Sequence, residues 1–338
     1  MEEKIDFVVT WLDSTDEEWQ RQFSYYKQKT TGKTDAARFR NMDIFQYWFR
    51  AVELYAPWVN KIFLVTNGTF PKWINKENPK LGLIRHSDYI PEEYLPTFNS
   101  RTIELYMHRI PELSEQFVYF NDDFFLNAPV TPDLFFKDGL PCDNNAETIY
   151  NIPTFDLRDG YGIYMSILAD IGVVNAHFNR RKTVRQSLRR WYGPHLGRQN
   201  LLLRYLLRNS SIFVGFQWRH SEQPFLKSVF EDAWRKAPEV LQASSTQFRE
   251  EAKLNPYFFR YWQFASNRFY PVKMYKSVTL SPCSSEIDNI RRVLHNQAIT
   301  SVCINDNPTC PDEEFASVNI ELQRILEEKF PVKSSFEK

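Results

Sequence analysis

The sequence predicts an α/β fold built on a parallel sheet of the nucleotide-binding type. Three observations lead there. A short apolar run near the start stops at an acid-rich turn, strand-like and helix-like segments alternate through the first half, and Asn, Asp and Gly gather where the strands end. Sheets of this kind bind ligands beyond the carboxyl ends of their strands.

Ile5 to Trp11 (IDFVVTW) is β-branched and aromatic, and it gives way to Leu12-Asp13-Ser14-Thr15-Asp16 and the helix-like EEWQRQFSYY. Ile44, Phe45, Trp48, Phe49 and Val52 then recur near helical spacing, ending before Pro57. KIFLVTNG reads as a buried strand closed by Asn67-Gly68, and LGLIRHSDYI as a shorter one. NSRTIELYMHRI has a polar start and helical periodicity, and FVYFNDDFFL is a strand ending in acids. From about Leu157 the pattern turns mostly helical. RFYPVKMYKSVTL and VCIND restore strand character, and SVNIELQRILEEKF closes the chain as a helix. These shifts divide the chain into an α/β core over 1–156, a mostly helical lobe over 157–270 and a return to the core over 271–338.

Composition narrows the function. Lys+Arg and Asp+Glu both number 42, so no global field recruits nucleic acid or an anionic bilayer, and anion binding must be local. Cys142, Cys283, Cys303 and Cys310 are scattered without CxxC spacing and read as reduced thiols. The opening MEEKIDFVVTW has the wrong charge and length for a secretory signal, and no apolar stretch approaches the ~18–20 residues of a spanning helix. The expectation is a cytoplasmic protein, with any membrane contact peripheral and on the inner face. Arg180-Arg181-Lys182, Arg185, Arg189 and Arg190 could make that contact. They could equally be a solvated helix face or an inner phosphate-binding wall.

Candidate chemistry sits at the strand ends. Asn121-Asp122-Asp123 follows an apolar strand, and paired carboxylates are the hard ligands a divalent cation on a diphosphate requires. An acidic turn or a helix N-cap is the plainer reading. Asp13 and Asp16 could meet a ribose, a base or a metal, or Asp16 could simply cap the next helix. Arg38, Arg40 and Asp43 offer forks suited to phosphate, though surface helices carry such residues routinely. His220, in WRHSEQPFLKS, has the natural side chain for taking a proton from a sugar hydroxyl near neutral pH.

Together these segments resemble the four conserved regions of the Stealth proteins, which include bacterial capsular polysaccharide phosphotransferases and the animal lysosomal-enzyme GlcNAc-1-phosphotransferase. The first is IDFVVTWLDSTDEEW. The second runs from RFRNMDIFQYWFRAVELYAPWVNKIFLVTNG through LPTFNSRTIELYMHRIPELSEQFVYFNDDFF. The third is VNAHFNRRKTVR followed by HSEQPFLKSVFEDAWRKAPEVLQASSTQFR, and the fourth is SVCINDNPTC.

The resemblance implies a Rossmann-like, glycosyltransferase-A-like core with a largely helical inserted lobe. It also implies transfer of hexose 1-phosphate or N-acetylhexosamine 1-phosphate from a UDP-sugar to an oligosaccharide or lipid-linked glycan, with release of UMP and dependence on Mg²⁺ or Mn²⁺. A metal-dependent glycosyltransferase releasing UDP is the alternative. By position, His220 matches the family's general base and Arg249 its phosphate-steadying arginine. Asp122, Asp123 and Asp306 match its metal acids. Thr10, Trp11, Asp13, Arg40, Asp43, Asn99, Asn175 and Asn179 match positions facing the nucleotide-sugar or acceptor. The chain departs at RFRNMD, where the family commonly has RFRDND, and at Ser14, where it commonly has glycine.

Overall fold

A computed structural model describes residues 4–28, 41–150, 163–249, 252–306 and 310–338. β1 (Ile5–Thr10) is buried along nearly its whole length, as a strand covered on both faces must be. α1 (Glu17–Lys27) starts at Asp16, whose carboxylate accepts from the Trp19 backbone N–H at 2.8 Å. α2 (Phe45–Tyr55) buries Trp48 against Phe120, with ring centroids 5.4 Å apart. β2 (Ile62–Thr66) and β3 (Leu81–Arg85) follow, then α3 (Ser100–Leu105) and β4 (Gln116–Phe120). β1 pairs in parallel with both β2 and β4, and β2 with β3. Phe7 lies opposite Ile62 on one side and Val118 on the other, and its ring meets Phe120 at 4.8 Å.

Three short strands come next: β5 (Phe124–Leu126), β6 (Phe136–Lys137) and β7 (Leu140–Asp143). The helical portion is α4 (Ile163–His177), α5 (Arg180–Gln186), α6 (Leu188–Trp191) and α7 (Arg198–Leu206). β8 (Gln223–Leu226) then joins the main sheet antiparallel to β4, giving the order β3-β2-β1-β4-β8. This is a Rossmann-like core with one reversed edge strand. It regains a strand well before residue 271. α8 (Lys227–Lys236) and α9 (Pro238–Ser244) follow, and α10 (Tyr257–Ala265) is buried on all sides from Phe258 onward. β9 (Tyr270–Pro271) pairs with β7. β10 (Ser277–Leu280), α11 (Ile287–Leu294), β11 (Ser301–Ile304) and α12 (Asp312–Lys329) complete the chain.

The helical portion is tied inward by buried ions. Arg180 is fully buried and donates two bonds of 2.7 Å to Glu147, and Arg204 approaches the same carboxylate at 3.3 Å. Arg260 forms a similar buried fork on Asp143 at 2.6 and 2.9 Å. Part of the basic run at Arg180 therefore serves packing against a carboxylate. None of the four cysteines is in a disulfide. Among the described residues, no helix is long and apolar enough to cross a membrane.

Candidate active site

The site grows from the end of β4. After Phe120 the chain turns through Asn121-Asp122-Asp123, with the Phe124 N–H donating to the Asn121 carbonyl, and enters β5. β5 pairs antiparallel with β11, setting Phe124 opposite Cys303, and the Ile304 N–H donates to the Asp123 carbonyl at 2.8 Å. A sheet pairing thus delivers Cys303 beside an acid far away in sequence. The Cys303 thiol donates to Asp123 Oδ2 at 3.2 Å, while Asp123 Oδ1 is buried without a hydrogen-bond partner. His220 precedes β8, its ring edge-on to Phe124 at 4.8 Å and stacked on Trp218 at 5.6 Å. Ligand atoms of Asp123, His220 and Cys303 all lie within 4.8 Å of one another.

The electrostatics follow from this crowding. Asp122 reaches solvent, yet the surrounding protein and then the Asp123 charge push its carboxyl up to about 7. Burial pushes Asp123 to about 6 against the pull of the Cys303 thiol. Burial, and next the Arg249 charge, lower the His220 pKa, so its imidazole is neutral and able to accept a proton at neutral pH. Glu104, at the end of α3, is pushed up to about 8 by burial, with Arg249, Tyr119 and Arg101 opposing.

Two cavities are relevant, and His220 lines the smaller one. One of about 650 Å³ lies at the carboxyl ends of β1 to β3, walled by Asp16, Trp19, Tyr26, Asn67, Thr69 and His86. The other, about 440 Å³, is lined by Trp218, Arg219, His220, Tyr275, Ser277 and Thr279. Arg219 lies 4.1 Å over the Tyr275 ring, and both its terminal nitrogens are shielded from solvent without an acceptor. The Tyr275 hydroxyl donates to buried Glu222.

The structure brings Asp122, Asp123 and His220 to one region, and the charge of Arg249 acts on both His220 and Glu104. Thr10 Oγ1 lies 3.3 Å from the Tyr119 hydroxyl, which donates to Asn121, so the end of β1 touches the same turn. Trp11 stacks on Phe45. Asp13 accepts from the Thr15 N–H and hydroxyl at 2.9 and 2.6 Å, shaping its loop. Asp43 is exposed ahead of α2 at φ +51°. Arg40 and Arg38 lie outside the described residues.

Three amides do other work. Asn99 is 0% exposed, caps α3, and donates to Thr102 and Thr246 at 3.0 Å, so it holds the segment leading to Arg249. Asn175 is committed to the Phe213 backbone through both ends of its amide, and Asn179 caps α5. Sequence reasoning missed Glu104, Arg219, Glu222 and Cys303. Only Arg219 and Cys303 carried a signal, lying beside His220 and within the CIND segment.

The paired carboxylates, and not the Cys303 thiol beside them, suit a hard divalent cation. Two adjacent carboxylates repel each other, and a buried oxygen with no hydrogen-bond partner is what such an ion satisfies.

Comparison with known proteins shows the family of the chain. Residues 38–143 match the family model described as Stealth protein CR2, conserved region 2. The chain is 38% identical to a capsular polysaccharide phosphotransferase, WcwK, of Streptococcus pneumoniae, covering 100% of both chains. It is 36% identical to the receptor polysaccharide phosphotransferase WefC of Streptococcus oralis, over 99% of each. It is also 36% identical to the exopolysaccharide phosphotransferase cps2G of Lactiplantibacillus plantarum, over 99% of this chain and 96% of that one. Among solved structures, the galactosyltransferase LgtC with donor and acceptor sugar analogues aligns over 96% of this chain and 95% of that one. Its identity is 9% and its TM-score 0.39, a likeness too remote to speak to chemistry.

Proposed function

The chain belongs to the Stealth family, and from that premise we propose that it transfers a hexose 1-phosphate from a UDP-sugar to a glycan hydroxyl, releasing UMP, in capsular or exopolysaccharide synthesis. The observation that carries the reading is the placement of a neutral imidazole, His220, beside the Asp122-Asp123 pair.

Phosphoryl transfer asks a protein for positioning, charge neutralisation and a base rather than a covalent nucleophile. In this reading the nucleotide occupies the larger cavity, at the ligand-binding end of the parallel sheet. The acceptor enters the smaller cavity, whose wall includes His220. His220 takes the proton of the attacking hydroxyl as oxygen bonds to the sugar-bearing phosphorus and the bond to UMP breaks. Arg249 steadies the non-bridging oxygens. Asp122, Asp123 and Asp306 would hold Mg²⁺ or Mn²⁺, which supplies charge neutralisation on the diphosphate when bound.

The test follows phosphorus. The protein is incubated with Mg²⁺, a panel of UDP-sugars and an oligosaccharide acceptor, and ³¹P signals are recorded. UMP and a new phosphodiester are expected. Release of UDP with no phosphodiester would identify a glycosyltransferase and overturn the reading.

A further inference from the structure

The chain is neutral overall, but its charge is unevenly placed. Residues 171–221 carry ten Lys and Arg and not one Asp or Glu, so the rest of the chain holds ten more acids than bases. This segment contains α5, α6 and α7.

α7 is polarised opposite to an ordinary surface helix, which buries its apolar stripe and turns its charges outward. Here Arg204 is 0% exposed and faces Glu147, while Leu202, Tyr205 and Leu206 are 60, 57 and 65% exposed. Leu188, Tyr192 and Ile212 are also exposed, so one short stretch gathers apolar side chains in water. Scattered surface apolar residues need no explanation, but a gathered group marks a contact surface.

The three helices form one unit. Arg180, at the start of α5, donates to the Leu207 carbonyl just past α7, and Arg204 donates to the Trp191 carbonyl that ends α6. The same segment also carries Arg181, Lys182, Arg185, Arg189, Arg198 and Arg208, all exposed and none paired with a carboxylate among the described residues.

We infer that α5 to α7 form a docking face for an anionic lipid bilayer, with Leu202, Tyr205 and Leu206 entering the headgroup boundary and the six cations meeting lipid phosphates. Leucines flanked by unpaired arginines, with tyrosines at the margin, suit that boundary, which is apolar below and anionic above. A second copy of the chain fits poorly, because a twofold contact would set six unpaired cations against six more. The absence of a spanning helix among the described residues agrees with lying on a membrane rather than crossing it. The inference rests on this face alone and stands apart from the chemistry at His220.

The experiment is co-sedimentation of the full chain with vesicles of phosphatidylcholine alone, or of phosphatidylcholine with phosphatidylglycerol. Binding to the anionic vesicles is expected, weakening as salt is raised. The double variant Leu202→Gln/Leu206→Gln should lose at least tenfold in partitioning, and Arg185→Gln/Arg189→Gln should fall toward the level on neutral vesicles. Both should keep the wild-type melting temperature, since the substituted side chains are exposed. The Leu variant should also keep UMP release toward a soluble acceptor, and a wild type that binds vesicles but releases no UMP would count against the proposed reaction and not against the surface. Three results would overturn the inference: no vesicle binding by the wild type, unchanged binding by both variants, or a solution dimer that the Leu variant dissociates.

Discussion

Replacing Glu104 by Gln should stabilise the protein near neutral pH, and the size of the gain follows from the setting of that carboxyl. Burial raises it from its ordinary 4.5 to about 8, a rise that the Arg249 charge, the Tyr119 hydroxyl and the Arg101 charge only partly oppose. The folded state therefore holds this proton more tightly than the unfolded chain does. The resulting cost is absent below about pH 4.5, grows as pH rises toward about 8, and is constant above. At pH 7 the unfolded chain gains about 3.4 kcal/mol from ionising, at about 1.4 kcal/mol per tenfold step. Glu104 keeps some solvent contact, which trims this to about 1–3 kcal/mol. Glutamine has nearly the same shape and does not titrate. Glu104→Gln should thus raise the melting temperature by about 1–4 °C at pH 7 and by almost nothing at pH 4. Melting curves of both proteins from pH 4 to 8, without added metal, check this. A gain that does not grow with pH, or a loss at pH 7, would show that Glu104 is ionised in the folded state and held by Arg249, and would refute the reasoning.

Further outcomes follow from the same site and its scaffold. His220→Ala should lower kcat by about 10²–10⁴-fold with UDP-sugar affinity nearly intact, as measured by turnover and by calorimetric donor binding. Unchanged turnover would make His220 structural. Asp123→Asn should weaken Mg²⁺ binding and abolish metal activation while leaving the fold intact, because an amide oxygen still accepts from the Cys303 thiol; calorimetry with Mg²⁺ reads the first effect and a melting curve the second. Glu147→Gln should destabilise by about 3–5 kcal/mol, because Arg180 and Arg204 would remain buried without their counter-charge. Denaturant unfolding measures it, and a loss under about 1 kcal/mol would mean that water reaches both arginines.

The parallel core was readable because each strand is apolar on both faces and each ends at a turn residue with a local cause. IDFVVTW and KIFLVTNG became β1 and β2 with a small shift of boundary, and FVYFNDDFFL split at its acids into β4 and β5, which lie in different sheets. Asp16 became the N-cap, as its position before EEW suggests. β8 was harder. QPFL is short, carries a proline, and sits among helical segments, so nothing local announces that it edges the main sheet. Asn99 was hard to read for a related reason. A polar residue at a matched position looks the same whether it meets a ligand or caps a buried helix, and only its exposure separates the two.

The site depended on contacts that no local pattern encodes. Asp123, His220 and Cys303 are drawn from three distant segments, and they meet because β5 pairs with β11 while β8 pairs with β4. α7 shows the limit most plainly. NLLLRYLLRN has helical spacing, and the ordinary inference turns leucines inward and arginine outward. Periodicity fixes that a helix has two faces but not which one meets the core. Here a single buried carboxylate, Glu147, draws Arg204 inside, and the rotation that satisfies this pair necessarily turns Leu202 and Leu206 outward. The exposed stripe and the buried ion pair are therefore one structural decision, and it was made by a residue more than fifty positions away in sequence.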